Sequence, residues 1–358
     1  MEMKIGILTF HRAHNYGAVL QCYALQEYLK QQGHNVEVID YRQKFIEKVY
    51  SPFNLQMFIQ DFFRLRKRTF KHILLIIKKI RCKRLYEQFI EKHIYSSTPC
   101  NKNNIPSKYD AIIIGSDQMW NTKLTGGYDS IYWGEMPKEF HGRLIGYAIS
   151  TNIRNLSLVS SDIILKALSH FSAFSFREAN LTSYINETLH SKFKVKTTLD
   201  PTLLVNREVW DSLIINSFQS RRYVVIYQAR GYAKEPDLLI KKAAVLAEKM
   251  NCEVINLIHG EYSPCDFVSI FRYALCVITT SFHAVAFSLI FNRPLYAIRL
   301  NDGNDRRYAD LLEYLGAGNM LVDTGFIPEI IDVNYEEINC NLEKMRTESI
   351  DFLNTILK

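Results

Sequence analysis

The amino-acid sequence predicts an α/β protein made of two Rossmann-like domains that face each other across a cleft. Three observations lead to this prediction. The chain has 358 residues, about two domains at the usual ~100–200 residues per domain. Strand-like apolar runs alternate with helix-like spacing of apolar residues, a pattern typical of parallel sheets covered on both faces. The alternation runs through two blocks, which join near residues 200–210.

The first block opens with an apolar run and continues with helical spacing of apolar residues and a second strand. Its predicted strands are residues 4–9, 35–40, 110–114, 144–149 and 195–199, and its predicted helices are 18–30, 160–170 and 178–189. We assign residues 1–205 to an N-terminal Rossmann-like domain that carries a basic helical insertion at about 53–93.

The second block repeats the alternation more regularly. Strands are predicted at 223–228, 253–258, 275–279 and 294–298, and helices at 237–250, 284–291 and 307–315. We assign residues 206–325 to a C-terminal Rossmann-like domain and residues 326–358 to a helical tail that we expect to pack back on the first domain. Open α/β sheets bind ligands beyond the carboxyl ends of their strands, so the polar loops there are the candidate sites.

The composition is that of an ordinary soluble globular protein, with 47% apolar and 23% charged residues. This excludes a disordered, collagen-like or disulfide-scaffold chain. The net charge is +7, and ten Lys and Arg without any Asp or Glu fall between residues 62 and 86. Without those ten, 34 of the 44 basic residues remain, against 37 acidic ones. The excess therefore belongs to one segment, and we do not expect nucleic acid as a partner.

The basic segment has the pattern of an amphipathic helix. Its apolar residues fall on one side, opposite most of the basic ones: Phe62, Phe63, Phe70, Ile73, Ile76, Ile77 and Ile80. Such a helix can lie on an anionic membrane surface, and a phosphate-rich acceptor would use the same charges. An intradomain helix with a solvated basic face fits the pattern equally well.

The predicted location is the cytoplasm, at the inner face of the cell membrane. The N-terminus enters a strand-like run without the basic and long apolar regions of a signal peptide. The apolar run at 73–77 is far shorter than the ~20 residues that cross a membrane. The seven Cys are scattered without a Cys-x-x-Cys pair, which indicates reduced thiols and no structural metal.

Two loops of the first block contain candidate binding residues. In residues 9–18, Asn15 and Gly17 stand at a helix start that can present backbone N–H groups to an anion; a capped connection with surface histidines is the alternative. In residues 115–121, Asp117, Gln118 and Trp120 follow a buried strand and suit a hydroxylated ligand, the indole covering an apolar sugar face. Asp117 can instead act as a hydrogen-bond clamp within its loop.

The second block contains the third loop, residues 279–284, where Ser281 and His283 precede a helix. Hydroxyls and an imidazole at a helix N-terminus favour an anion. Arg177 and Arg307 stand near other strand or helix ends, and each taken alone is a solvated or ion-paired side chain. Together with His283 they would form a pocket for a small dianion.

These loops resemble the polysaccharide pyruvyl transferase family, and the matching motifs occur in the family's order. The stretches are residues 15–21 with 23–25, 115–121, 175–178, 199–204, 281–288 with 292–294, and Arg307 before 311–312. Ala284 and Val285 depart from the pattern, since the family usually has Gly and Thr there.

The resemblance implies a fold like that of two-domain GT-B glycosyltransferases. It also implies transfer of pyruvate from phosphoenolpyruvate to a sugar of a bacterial capsule or exopolysaccharide precursor, as a ketal on a glycan linked to a lipid diphosphate. The N-terminal domain would bind this acceptor and the C-terminal domain the donor. No cofactor and no metal are expected.

The resemblance, with the chemistry of the transfer, also leads us to assign roles to residues. His283 would be the general acid and a donor ligand, and Asp117 the acceptor ligand or base. Arg177, Ser281 and Arg307 would bind the donor anions. The remaining acceptor-binding residues would be Asn15, Tyr16, Gly17, Gln118 and Trp120.

Two alternatives stay open. The first is a GT-B-type glycosyltransferase that uses a nucleotide sugar, although no clear acidic pair for a ribose is present in the second block. The second is a non-catalytic glycan-binding protein of the cell envelope. Release of phosphate from phosphoenolpyruvate, of nucleotide from a nucleotide sugar, or of neither separates the three functions.

Overall fold

The computed structural model of the protein describes residues 2–50, 66–189, 193–229, 235, 237–301 and 303–358. Their strands form two parallel sheets. The first sheet contains β1 (Lys4–Leu8), β2 (Asn35–Val38), β3 (Ala111–Asp117), β4 (Arg143–Ile149), β5 (Ala173–Phe176) and β6 (Lys196–Thr197). The second contains β7 (Tyr223–Tyr227), β8 (Glu253–Asn256), β9 (Cys276–Thr279), β10 (Leu295–Arg299) and β11 (Leu321–Asp323).

Both sheets follow the same strand order. The first runs β2-β1-β3-β4-β5-β6, and the second, in the corresponding sense, runs β8-β7-β9-β10-β11. In each sheet the first strand pairs in parallel with both the second and the third, so the chain reverses its direction of winding between them. Such a switch point opens a crevice at the carboxyl ends of the strands. The protein therefore has two such crevices, one in each sheet.

Helices cover the sheets, and several of them begin at a residue whose side chain caps the first turn. The helices are α1 (Tyr16–Gln31), α2 (Lys44–Val49), α3 (Arg66–His93), α4 (Thr122–Thr125), α5 (Ile153–Leu156), α6 (Ser161–Leu168), α7 (Ala179–Ser183), α8 (Pro201–Leu204), α9 (Arg207–Asp211), α10 (Leu238–Lys249), α11 (Pro264–Tyr273), α12 (Phe282–Ile290), α13 (Arg306–Tyr314) and α14 (Tyr335–Leu357). Asn15 caps α1 and Ser281 caps α12, so both helices begin two residues earlier than the spacing of apolar residues predicts.

The sequence prediction misses the strands β5 and β11, the helix α11, and the short helices α2, α4, α5, α8 and α9. β5 is too short and too aromatic for its pattern to be distinguished from a loop. α11 carries a clear start signal, because Ser263 and Asp266 cap it reciprocally and Pro264 occupies its first turn. The predicted strand at 195–199 is reduced to the two residues of β6.

The two sheets are joined through a shared apolar core. Trp210 of α9 is fully buried and packs against Tyr23 of α1 and Phe287 of α12, with ring centroids 6.0 and 4.8 Å away. Its indole N–H donates to the carbonyl of Thr202. These contacts hold α1 of the first domain close to α12 of the second.

The last helix, α14, lies against the first sheet's side of the molecule. The backbone N–H of Leu199 donates to Ser349 Oγ at 2.9 Å, and the Arg346 guanidinium donates to the carbonyl of Leu203. Of the basic segment, residues 53–65 lie outside the described part of the chain, and α3 provides the remainder. None of the described helices is long and apolar enough to cross a membrane.

Candidate active site

A cavity of about 670 Å³ lies between the carboxyl ends of the two sheets. It is lined by the loops that follow β1 and β3 and by the loop between β9 and α12. Ionisable side chains from both domains face it, namely Asp117, Lys123, Arg154, His283 and Arg307. The amides of Asn15, Gln118, Asn121, Asn152, Asn155 and Asn304 line it as well. Among the described residues of the lining, Asp117 is the one carboxylate, so the cavity favours anions.

His283 lies in the first turn of α12, and its imidazole rests on α1 of the other domain. The space it occupies is left by Gly17. A Cβ built on Gly17 would lie 1.9 Å from His283 Nδ1, far inside van der Waals contact. The glycine therefore allows the first turns of α1 and α12 to approach each other. The backbone N–H of Gly17 donates to Asn15 Oδ1 within the helix cap. The prediction that this N–H binds an anion is therefore wrong, because the cap already uses it.

The other side of the imidazole faces Asp200, a carboxylate that is completely buried at the start of α8. His283 Nε2 lies 3.7 Å from Asp200 Oδ2, an ion-pair distance longer than a hydrogen bond. The same oxygen accepts from Arg177 Nη1 at 2.6 Å and from Ser116 Oγ at 3.1 Å. The other oxygen, Oδ1, accepts from the N–H and the hydroxyl of Thr202. Asp200 thus connects residues of both domains.

The surroundings of Asp200 keep it ionised. Burial alone would raise the pKa of this carboxyl, but the His283 imidazole and the Arg177 guanidinium outweigh burial and hold the pKa well below its usual range. The neighbouring Glu178 differs, because burial raises its pKa against the opposing charge of Arg177. Asp200 is therefore the fixed negative charge of the site, and it can balance a protonated imidazole.

Arg177 is occupied by this network and does not line the cavity. Besides Asp200, its guanidinium donates to Ser150 Oγ at 2.9 Å and lies 3.4 Å from Glu178 Oε1. It also stacks on the Phe282 ring, 4.1 Å from the centroid. Only about 3% of its side chain is exposed. The prediction that Arg177 binds the donor is therefore wrong, because its guanidinium is paired with the buried carboxylates of Asp200 and Glu178.

Two predicted acceptor contacts are also corrected, because the aromatic rings concerned are turned into the core. Trp120 is completely buried, stacks on Trp133 with centroids 4.3 Å apart, and donates its indole N–H to the carbonyl of Tyr132. Tyr16 stacks on Phe267 and donates its hydroxyl to the carbonyl of Tyr262. Trp120 stabilises the first domain, and Tyr16 packs between the domains.

The other predicted residues do line the cavity: Asn15, Asp117, Gln118, Ser281, His283 and Arg307. Asp117 has a φ of 86°, in the left-handed region that costs free energy outside glycine, and its Oδ1 accepts from the N–H of Gln118. Ser281 caps α12, whose first N–H groups have no partner within the helix and open on an anion-favouring cavity.

Arg154 was not singled out by the sequence, and it lines the cavity from the domain opposite that of Arg307. Arg154 lies in α5 after β4, and its guanidinium carbon is 4.0 Å from the position of a Cβ built on Gly303. Close by, Asn152 Nδ2 donates to Asn304 Oδ1 across the cleft, and Arg307 Nε donates to the carbonyl of Asn304. Both arginines thus flank one bridge between the domains.

Asp200 is the other residue that sequence reasoning missed. The signal was present, because residues 199–204 place a single Asp between apolar residues directly after a strand, followed by Pro at the first position of a helix. Arg154 has no comparable signal, because taken alone it is unremarkable in the sequence. No group of His, Cys, Asp and Glu among the described residues is arranged to hold a metal ion.

The profile of the polysaccharide pyruvyl transferase family matches residues 15–302. The chain belongs to this family. The match includes the loops on both sides of the cavity, together with Gly17, Asp200 and His283. Ala284 and Val285, where the family usually has Gly and Thr, are fully buried in the core beneath this family member's cavity. No curated protein is similar enough in sequence to match the chain.

Solved structures with little sequence identity are similar to this chain over most of its length. A candidate UDP-N-acetylglucosamine 2-epimerase from Listeria monocytogenes is 9% identical, with a TM-score of 0.50 over 99% of this chain and 88% of that chain. The UDP-N-acetylglucosamine 2-epimerase from Rickettsia bellii is 13% identical, with a TM-score of 0.47 over 100% and 95%. The glycosyltransferase SnogD from Streptomyces nogalater is 11% identical, with a TM-score of 0.42 over 98% and 96%. With its two parallel sheets, this pyruvyl transferase family member has the two-Rossmann GT-B fold.

Replacing Gly17 with Ala tests the close approach of α1 and α12. The added methyl would overlap the His283 ring, so the imidazole must leave Asp200 or the helices must separate. We expect a loss of about 1–3 kcal/mol in the free energy of unfolding, measured by urea denaturation.

Gly318→Ala is the matched control, because nothing lies within 4 Å of its added Cβ, and we expect unchanged or slightly raised stability. A Gly17→Ala variant that gains about 1 kcal/mol, as an unobstructed helix glycine would, contradicts the close approach.

Proposed function

We propose that this family member transfers pyruvate from phosphoenolpyruvate to two hydroxyls of a sugar, forming a ketal and releasing phosphate. The observation that carries the proposal is the pairing of His283 with the buried carboxylate of Asp200 at the wall of an anion-favouring cavity. Donor chemistry requires a proton source beside two anionic groups. An imidazole held against a fixed negative charge and facing a cationic cavity provides both.

The reaction proceeds through protonation of the donor. His283, in its protonated form, transfers a proton to the methylene carbon of phosphoenolpyruvate, which becomes a methyl group next to an oxocarbenium-like carbon. A sugar hydroxyl attacks that carbon and gives its proton to Asp117. The carbon–oxygen bond to phosphate then breaks, and the second hydroxyl closes the ketal as its proton leaves with phosphate. Atoms balance as donor plus diol giving ketal plus phosphate.

The donor anions are assigned to Arg154, Arg307 and the first turn of α12, where Ser281 adds a hydroxyl. Arg307 and Ser281 come from the second domain and Arg154 from the first. A phosphate and a carboxylate bound between the two arginines would hold the domains together during the reaction. Arg177 instead acts through Asp200 as a positioning residue.

The acceptor is assigned to the first domain, where Asp117, Gln118 and Asn15 provide acceptors and donors for sugar hydroxyls. The rim of the cavity also presents exposed apolar side chains, Phe45, Val49 and Leu124. These suit the apolar faces of sugars or the beginning of a lipid chain, and the nearby Lys123 suits a diphosphate. We propose a lipid diphosphate-linked precursor of a bacterial capsule or exopolysaccharide, processed at the cytoplasmic face of the membrane.

His283→Asn tests the general acid. With phosphoenolpyruvate and lipid-linked glycans, the wild type should release phosphate and add a pyruvyl ketal, seen by mass spectrometry. In D₂O the ketal methyl should gain one deuterium, since one of its hydrogens comes from the acid. We expect kcat to fall by about 10²–10⁴ in His283→Asn and to remain unchanged in the control His170→Asn, an exposed histidine.

Near-normal turnover by a folded His283→Asn variant would refute its role as general acid. Nucleotide release from nucleotide sugars, without phosphate release from phosphoenolpyruvate, would instead identify a glycosyltransferase. Glycan binding without either release would identify a binding protein.

Arg154→Gln tests the donor contact across the cleft. We expect KM for phosphoenolpyruvate to rise about tenfold or more, because a charge-assisted contact to the donor is lost. The control is Arg306→Gln. Arg306 is next to Arg307 in sequence but does not line the cavity, and its Nη1 lies 3.6 Å from Asp310 Oδ1. Equal KM values for both variants would exclude Arg154 from the donor site.

A further inference from the structure

Helix α3 is buried along one side of its second half and exposed along the other. Tyr86, Phe89 and Ile90 are buried in the core shared with α1. Leu74, Ile77 and Ile80, which precede Tyr86 on the same helix, are exposed, so α3 passes from the surface of the protein into this core.

The exposed side of α3 carries an aliphatic stripe followed by arginines. Leu74, Ile77 and Ile80 are 51%, 39% and 41% exposed and lie three residues apart, on one side of the helix. Arg81 and Arg84, seven and ten residues after Leu74, continue the same side. Three exposed aliphatic side chains in line are unusual on a soluble surface, where they occur singly.

Contacts with the second domain fix the orientation of this side. Lys78 Nζ donates to the backbone carbonyls of Ile258 and His259, after β8. Arg81 Nη1 lies 3.7 Å from Glu261 Oε2, and the Arg81 side chain is 67% exposed. An ion pair this exposed contributes little to the stability of the fold. The arginine can therefore leave Glu261 for another anion at small cost.

We propose that this side of α3, defined by Leu74, Ile77, Ile80, Arg81 and Arg84 and called here the α3 face, binds an anionic membrane surface. Its aliphatic side chains would enter the boundary between headgroups and acyl chains, and its arginines would meet lipid phosphates. A second copy of the chain is disfavoured, because pairing two α3 faces would bring arginines together. A nucleic acid would leave the aliphatic stripe without a partner.

Helix α3 also contacts the wall of the cavity. Tyr86 of α3 packs on His14, which packs on Tyr50 of the cavity wall, with ring centroids 5.7 and 5.9 Å apart. Ile80 and Leu74 precede Tyr86 by about 9 and 18 Å along the helix axis. The helix that carries the α3 face is thus connected through its buried side to the wall of the cavity. The inference concerns binding alone and does not depend on the proposed reaction.

The test is co-sedimentation of the full chain with vesicles, without any substrate. Wild-type protein should bind phosphatidylglycerol vesicles, bind phosphatidylcholine vesicles weakly, and lose binding as salt rises. Arg81→Gln/Arg84→Gln should weaken binding about thirtyfold, from the loss of two charges at the surface. Leu74→Ser/Ile77→Ser/Ile80→Ser should weaken binding by about tenfold or more, because three apolar side chains are no longer transferred from water into the membrane interface.

The matched control is Lys102→Gln/Lys138→Gln, which removes two exposed charges elsewhere and should bind as the wild type does. Melting curves establish that each variant is folded. Equal binding to both vesicle types, or unchanged binding of the α3 variants, would overturn the proposal. So would a wild-type dimer that the triple Ser variant converts to monomer, since the α3 face would then be a protein interface. Phosphate release from phosphoenolpyruvate can succeed or fail independently of these outcomes.

Discussion

The structure of the site depends on one buried carboxylate, that of Asp200. It lies where the first sheet ends and the linker to the second begins, and it holds Arg177 of one domain and His283 of the other. A buried charge is tolerated only when it is paired, and removing one partner of such a pair typically costs about 3–5 kcal/mol. Because the fold lowers its pKa, the stabilisation by Asp200 is present above about pH 4 and is lost only as pH falls toward the lowered value.

The repeated strand order explains why this carboxylate has partners from both domains. Each sheet opens a crevice at its switch point, and the shared core around Trp210 holds the two crevices face to face. Loops that are far apart in sequence then line one cavity. Gly17 makes this arrangement possible, because the absence of a side chain there leaves room for the His283 ring between the two domains.

The sequence predicted the architecture and the loops, because strand alternation and helix starts are local signals. The fold class and the family were confirmed. Side-chain direction was not predictable, since it depends on packing between distant elements. Trp120 and Arg177 follow strands, as residues that line the cavity do. The Trp120 indole nevertheless stacks on Trp133, and the Arg177 guanidinium donates to Asp200. Arg154 was overlooked for the converse reason, because only the folded chain brings it to the same cavity as Arg307.

The most direct test of this account is the turnover of Asp200→Asn, an isosteric change that keeps the helix cap and removes the charge. Phosphate release from phosphoenolpyruvate should show kcat reduced by about 10²-fold or more, while the affinity for the donor changes little, because His283 loses its counter-charge but the donor anions keep Arg154 and Arg307. The assay is run well below the variant's own melting temperature. A folded Asp200→Asn variant with the kcat of the wild type would contradict the central role of the carboxylate.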